Sequence, residues 1–269
     1  MPIDVDAAVI SNTVLSSGYS VLALAAPEIA AQAAPGQFVM LKAGDRNDPL
    51  LRRPFSVFEV LREHDRIVGL SILNKRVGAS TSLLFDARPG DRVRCLGPLG
   101  TPFDPVSPPA AAWLVAGGVG LAPFATLAEV LWARGTRITL YYGARSAAGI
   151  LCLDIFERLG VRFVLATEDG SRGDHGLVTA SLERDLRACP KSVAATIYAC
   201  GPEPMLAAVA RLAAAHERPS QVSVERVMGC GLGGCYSCVI PLRTGDGKSH
   251  YVRSCLSGPV FSGDAIVWD

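Results

Sequence analysis

No run of about 20 uninterrupted apolar residues occurs in this sequence, which argues against a membrane-spanning helix. Internal repeats and low-complexity tails are also missing, so neither a solenoid nor a disordered arm is expected. Net charge is nearly absent: 26 basic residues against 25 acidic ones leave +1. That balance points away from nucleic acid and from anionic membranes as partners. Lysine is scarce while alanine and arginine are abundant, a bias of composition rather than of function. The acidic start Met1-Pro-Ile-Asp-Val-Asp6 lacks the basic opening of a secretory signal, so a cytoplasmic location is expected. With 269 residues, 49% of them hydrophobic, the chain can bury a sizeable core without a disulfide framework. The length suits two domains and a small appendage.

What the chain does have is cysteine: Cys95, Cys152, Cys189, Cys200, Cys230, Cys235, Cys238 and Cys255. In a reducing compartment, clustered cysteines indicate metal or redox chemistry. Cys230, Cys235, Cys238 and Cys255 follow the spacing C-x4-C-x2-C-x16-C. Its first three members match the plant-type ferredoxin pattern for a 2Fe-2S cluster. A tight loop supplies three thiolates and a distant segment the fourth, two for each iron. Residues 229–234 hold four glycines, which let backbone amides approach the sulfurs. A structural zinc site is the alternative, but zinc usually takes two C-x2-C hooks. Cys95, Cys152 and Cys189 stand singly and read as small buried hydrophobes.

Residues 1–103 read as short strands, at 19–25, 37–42, 55–61, 67–73 and 91–95, separated by Gly, Pro and Asp turns. That spacing predicts a small antiparallel β-barrel. A proline-rich linker follows at 102–109. Residues 110–222 alternate, with strands at 111–116, 137–142, 162–166 and 195–199 and helices at 123–134, 147–159 and 204–215. Alternation of this kind predicts a doubly wound, parallel α/β sheet. The expected architecture is multi-domain: barrel (1–103), α/β domain (110–222) and a small cysteine-rich domain (223–269).

Three further segments could hold ligands. Leu-Arg-Arg-Pro-Phe-Ser-Val at 51–57 contains a rigid Arg53–Pro54 step. Residues 77–84 resemble a helix start, where Gly78 permits close approach and Ser80 and Thr81 offer hydroxyls. A diphosphate would fit there, with Arg53 or Lys75 meeting its charge. Gly117, Gly118 and Gly120, between a strand and a helix, suit a dinucleotide's pyrophosphate, although the strict G-x-G-x-x-G pattern is not met. The bland reading is a glycine turn in an α/β domain without nucleotide. Cys200, Gly201 and Pro202 end another strand, where such sheets bind ligands. A thiol there either leaves room for a nicotinamide or simply packs.

Taken together and in this order, the segments resemble the ferredoxin–NADP reductase superfamily and, more narrowly, the electron-transfer subunits of dihydroorotate dehydrogenase B. The Cys-Leu-Ser-Gly-Pro-Val-Phe ending at 255–261 carries the narrower likeness, and the likeness covers nearly the whole chain. It implies FAD on the barrel, NAD(H) on the α/β domain and a 2Fe-2S cluster near a partner. Arg53, Pro54, Phe55 and Ser56 would contact the flavin, Ser56 near the ring system and Arg53 near the diphosphate. Leu73, Asn74 and Lys75 would add flavin contacts, and Gly78, Ser80 and Thr81 the diphosphate site. Gly117, Gly118, Gly120, Cys200, Gly201 and Pro202 would receive the nucleotide. Where the family's cluster loop commonly has glycine, this chain has Ser237.

The implied partner is a catalytic subunit, an FMN-containing dihydroorotate dehydrogenase, in a heterotetramer serving pyrimidine biosynthesis. A hydrogenase or ferredoxin-linked complex is the alternative partner, and a non-enzymatic zinc or nucleotide-binding module the alternative class. No protein acid or base is required, because the cofactors carry the chemistry. Flavin and cluster absorption bands are expected from purified protein, and a colourless zinc protein would contradict the redox reading. Cys235→Ser is expected to leave flavin bound and to stop electron delivery to the partner; transfer at the normal rate would refute the relay.

Overall fold

The computed structural model of the protein describes residues 1–44 and 49–268. The N-terminal half forms one curled sheet of seven strands: β1 (Ile3–Ser16), β2 (Tyr19–Ala25), β3 (Phe38–Ala43), β4 (Arg53–Ser56), β5 (Glu59–Glu63), β6 (Arg66–Lys75) and β7 (Arg92–Leu99). Their order is β4-β3-β7-β1-β2-β6-β5, and every neighbouring pair is antiparallel. Helices α1 (Pro27–Ala30) and α2 (Ala79–Phe85) flank it. The run at 55–61, which reads as one strand in the sequence, is a corner. Val57 N–H donates to Gln37 O (3.1 Å) and Phe58 N–H to Ser71 O (2.9 Å), so consecutive amides serve opposite edges of the sheet. Both side chains are buried, and the two edge strands β4 and β5 are thereby joined through the core.

Strand β3 is buried on both faces. Val39 and Leu41 point into the barrel core, whereas Phe38 and Met40 point outward into a second apolar cluster with Leu96, Leu99, Met228, Cys238 and Cys255. The two-residue period of a strand makes this division possible.

The second sheet contains β8 (Ala111–Gly117), β9 (Ile138–Ala144), β10 (Arg162–Thr167), β11 (Asp174–His175), β12 (Ala195–Cys200) and β13 (Ser220–Ser223), all parallel to their neighbours. Helices α3 (Ala122–Ala133) and α4 (Leu153–Glu157) pack on one face, and α5 (Val178–Ala188) and α6 (Glu203–Ala215) on the other. The helix expected over 147–159 is shorter, a single 3-10 turn at Ala147–Gly149 followed by α4, because Cys152 takes a left-handed backbone (φ 53) between them.

The tail adds a hairpin of β14 (Val239–Arg243) and β15 (Ser249–Arg253), a short α7 (Ser254–Ser257) and β16 (Val260–Ser262). Strand β16 pairs antiparallel with β13 and completes the order β11-β10-β9-β8-β12-β13-β16. The cysteine-rich segment is thus anchored to the parallel sheet.

The proline-rich linker is pinned over Phe103–Val106. Tyr198, fully buried, accepts from Val106 N–H (2.9 Å) and donates its hydroxyl to Asp104 O (2.9 Å). Phe103 stacks on Phe124 at 5.8 Å and meets Tyr198 edge-on at 5.6 Å. Tyr198→Phe removes both hydroxyl bonds and leaves an amide without its acceptor. We expect a loss of about 1–3 kcal/mol, read by calorimetry as a melting temperature several degrees lower; an unchanged melting temperature would contradict it.

Candidate functional site

The thiols sit where the tail crosses the barrel wall. Gly231 (φ +73) and Gly233 (φ +81) adopt left-handed backbone in the loop after β13. A Cβ on Gly231 would stand 2.6 Å from Met40 Cγ, and one on Gly233 would stand 2.5 Å from Leu256 Cδ1. Only glycine lets the loop lie flat against β3 on one side and α7 on the other. Tyr236 also has positive φ (60), unusual for an aromatic residue. Arg253 fixes it, with the guanidinium 4.8 Å from the Tyr236 ring centroid and donating to Gly233 O at 2.9 Å. Ser254 N–H donates to Cys238 O (3.0 Å), which brings the Cys255 end beside Cys238.

Cys230 neighbours Cys235 and Cys238 neighbours Cys255, with Cys230 also acting on Cys255. Among the described residues, no three His, Cys, Asp or Glu side chains converge as for a single metal ion. Two thiolates at each of two centres is the ligand set that a bridged di-iron cluster takes. Backbone donors are already aimed at sulfur: Leu232 N–H points to Cys230 Sγ at 3.3 Å. The pairs differ in environment. Cys235 is exposed, and hydrogen bonds from the Ser237 hydroxyl and backbone, followed by Cys230, pull its thiol down to about 6. Cys238 and Cys255 are only 2% and 1% exposed, and burial, followed by the neighbouring Cys238, pushes the Cys255 thiol up to about 12.

A cleft of about 1280 Å³ separates the barrel from the parallel sheet. Tyr19, Phe38, Pro54, Phe55, Ser56, Leu73 and Lys75 form its barrel wall. Gly117, Gly118, Cys200, Pro202 and Met205 form the opposite wall. The volume suits two nucleotide-sized cofactors meeting end to end, since single ligand pockets reach about 1,000 Å³. Glycine is required at the strand ends. A Cβ on Gly120 would lie 2.2 Å from Cys200 O, and one on Gly117 would lie 2.8 Å from Pro202 Cδ. The turn after β8 therefore packs directly on the end of β12. The Cys200 thiol is pushed up, by burial first and then by the Glu225 carboxylate. Glu225 lies along the cleft, where the surrounding protein raises its carboxyl and the Lys75 ammonium opposes the rise.

The other residues singled out from the sequence stand at or behind this surface. Arg53 lies beside it, donating to Leu51 O (3.0 Å) and Arg52 O (3.1 Å). Asn74 is fully buried and ties β6 to α2 through Thr81 O (3.0 Å). The Thr81 hydroxyl accepts from Val77 N–H (2.9 Å) and Gly78 N–H (3.0 Å), so it caps the helix. Ser80 Oγ is buried with no hydrogen-bond partner among the described residues, a polar atom a ligand could satisfy. Gly78 is extended, with open space at its Cα. Gly120 and Gly201 support the cleft from below. Sequence reasoning missed Tyr19, Ser223, Glu225, Arg226 and Met228 as lining residues. Four of these five immediately precede the cysteine loop, and nothing in their local pattern says which way they face.

Comparison with known proteins bears on these two features directly. The family model for the iron-sulfur cluster binding domain of dihydroorotate dehydrogenase B matches residues 225–267, and that for the oxidoreductase NAD-binding domain matches residues 114–211. The dihydroorotate dehydrogenase B (NAD(+)) electron transfer subunit of Desulforamulus reducens is 37% identical over 98% of both chains. That of Geobacillus thermodenitrificans is 35% identical over 96% of both. The chain belongs to the family of dihydroorotate dehydrogenase B electron-transfer subunits.

As a member of that family, the chain carries all four paired cysteines and Glu225–Met228 inside the segment matched by the cluster-binding model. Gly117, Gly118, Gly120 and Cys200–Pro202 lie inside the segment matched by the NAD-binding model. The fold agrees with a solved NADH-dependent reduced ferredoxin-NADP oxidoreductase, at TM-score 0.84 and 25% identity, over 98% of this chain and 91% of that one. No helix among the described residues is long and apolar enough to cross a membrane.

Gly120→Ala would force the β8 turn off the end of β12. We expect at least a tenfold weaker affinity for pyridine nucleotide, measured by fluorescence titration, with flavin still bound. Unchanged affinity would show that the close approach is dispensable.

Proposed function

We propose that this chain relays electrons between NAD(H), FAD and a 2Fe-2S cluster and exchanges them with a catalytic dihydroorotate dehydrogenase subunit. The observation that carries the reading is the placement of Phe38 and Met228. Both line the cleft, and both pack with Cys238 and Cys255. The buried thiol pair is therefore one layer of side chains from the cofactor cleft. When bound, nicotinamide and flavin supply hydride chemistry and the cluster supplies single-electron transfer.

The protein's part is to bind, orient and exclude water. Pro54, Phe55, Ser56 and Tyr19 offer a largely apolar wall to a flavin. Lys75, on the barrel wall of the cleft, would meet the diphosphate charge, with Ser80 and Arg53 beside it. Gly117 and Gly118 admit a pyrophosphate to the turn after β8, and the small Cys200 side chain leaves a nicotinamide room to approach the barrel wall. Cys230, Cys235, Cys238 and Cys255 hold the cluster. The exposed Cys235 and half-buried Cys230 lie in the loop that carries Leu232 and Tyr236, which with Leu256 are large and exposed, and that suits a protein partner. Eight free thiols suit a reducing compartment, and we assign the chain to the cytoplasm.

The cleft favours NAD(H) over its 2′-phosphorylated form. Glu168 lines the nucleotide side beside Arg145, and its N–H is held by Ala144 O at 3.1 Å. A carboxylate there repels a 2′-phosphate. Steady-state kcat/KM is expected to favour NADH over NADPH, and the reverse preference would contradict the assignment. Iron and acid-labile sulfide analysis of anaerobically prepared, flavin-loaded protein tests the relay itself: two of each per chain are expected, and none would overturn it.

A further inference from the structure

Ser237 occupies the position before the third cysteine, within a loop otherwise rich in glycine. Its hydroxyl oxygen accepts a hydrogen bond from Gly229 N–H at 3.0 Å. The same oxygen lies 3.1 Å from Cys235 Sγ. In the free thiol form either atom could be the donor of that second bond. As a metal ligand, Cys235 is a thiolate without a proton, so only the serine can donate. The Gly229 amide leaves the serine's own proton unused, and the chain Gly229 N–H to Ser237 O–H to Cys235 sulfur has a single direction. The preceding Tyr236, held in left-handed backbone under Arg253, fixes where Ser237 points.

We propose that the Ser237 hydroxyl donates a hydrogen bond to the Cys235 ligand and raises the reduction potential of the cluster at this exposed sulfur. The reduced cluster carries more negative charge on sulfur than the oxidised one, so a donor to sulfur stabilises the reduced state more. Ser237 acts through Cys235 and is a positioning residue; alanine or glycine in its place supplies no donor. The inference rests on the reading that the four thiolates hold a 2Fe-2S cluster.

The test uses the complex co-purified with its catalytic subunit. The cluster is titrated potentiometrically and followed by the electron paramagnetic resonance signal of its reduced form. Ser237→Ala and Ser237→Gly are each expected to shift the equilibrium about tenfold toward the oxidised state. For one electron this is about 59 mV. Ser237→Thr, which keeps a hydroxyl, is expected to restore most of the shift. In resonance Raman spectra, the D2O sensitivity of the iron–cysteine stretching bands is expected to shrink in the alanine and glycine variants and to persist in the threonine variant. A wild-type midpoint in either hydroxyl-free variant at full iron and sulfide content overturns the inference, as does a threonine variant shifted as far as alanine. A wild-type complex without iron and sulfide would instead remove the cluster reading beneath it.

Discussion

Electron transfer is steeply limited by distance, and here the distance is set by the contact between the cysteine loop and strand β3. Gly231 lies so close to Met40 that no side chain fits between them. The loop therefore cannot drift from the barrel without opening the apolar cluster of Phe38, Met40, Leu96, Leu99 and Met228. Burial of these side chains is worth about 25 cal/mol per Å² of apolar surface, with no direction of its own. The glycine supplies the specificity: it permits only one depth of approach. A second tie acts from the other side. Gly100 (φ +81) would bring a Cβ within 2.5 Å of Pro259 Cδ, so the end of β7 is pressed against the chain just after α7. The segment bearing the thiols is thus held by the barrel at both ends and by β16 in the parallel sheet.

The same economy of space governs the cleft. In a parallel sheet the ligand edge lies at the carboxyl ends of the strands. Here β8 and β12 are neighbours, and Gly120 lets the turn after one rest on the carbonyl at the end of the other. The barrel closes over this edge because the linker cannot swing. Phe103, Phe124 and Tyr198 form one aromatic group spanning linker, α3 and β12. Barrel residues Phe58 and Leu73 are buried in the same core as the α3 face of the sheet. The two domains therefore share a core rather than a hinge.

How far all this could be read from the chain depends on whether the signal was local. The cysteine spacing was legible because ligand geometry is written in covalent distances along one loop. The parallel sheet was legible from its alternation of apolar runs and helical stretches. Strand β1 was not, since its bulges at Val9/Ser11 and Val14/Ser16 break the two-residue alternation. Helix α5 went unread although Val178, Ser181, Leu182 and Leu186 share one buried stripe at helical spacing. Its leading Leu177 is no capping residue, so its start carries no mark. The pairing of β16 with β13 joins segments far apart in sequence and leaves no local trace. Cleft membership followed the strand period: Leu73 and Lys75 face the cleft, whereas Asn74 between them turns to α2.

The unequal burial of the two thiol pairs follows from this arrangement. Cys238 and Cys255 are pressed against the barrel because Ser254 is tied to Cys238 and α7 turns at once into β16. Cys230 and Cys235 fall on the outer side, since the loop must bend away through Gly231 and Gly233 before returning. The inner pair faces the cleft across Phe38 and Met228; of the outer pair Cys230 is half-buried and Cys235 exposed, in the loop that carries Leu232 and Tyr236. A low local dielectric around the inner sulfurs disfavours added charge, whereas hydrogen-bond donors around the outer sulfurs favour it. Were the four thiolates to hold a cluster, Cys238 and Cys255 would be its buried ligands and Cys235 its exposed one, so burial and a few hydrogen bonds would make four identical ligands unequal.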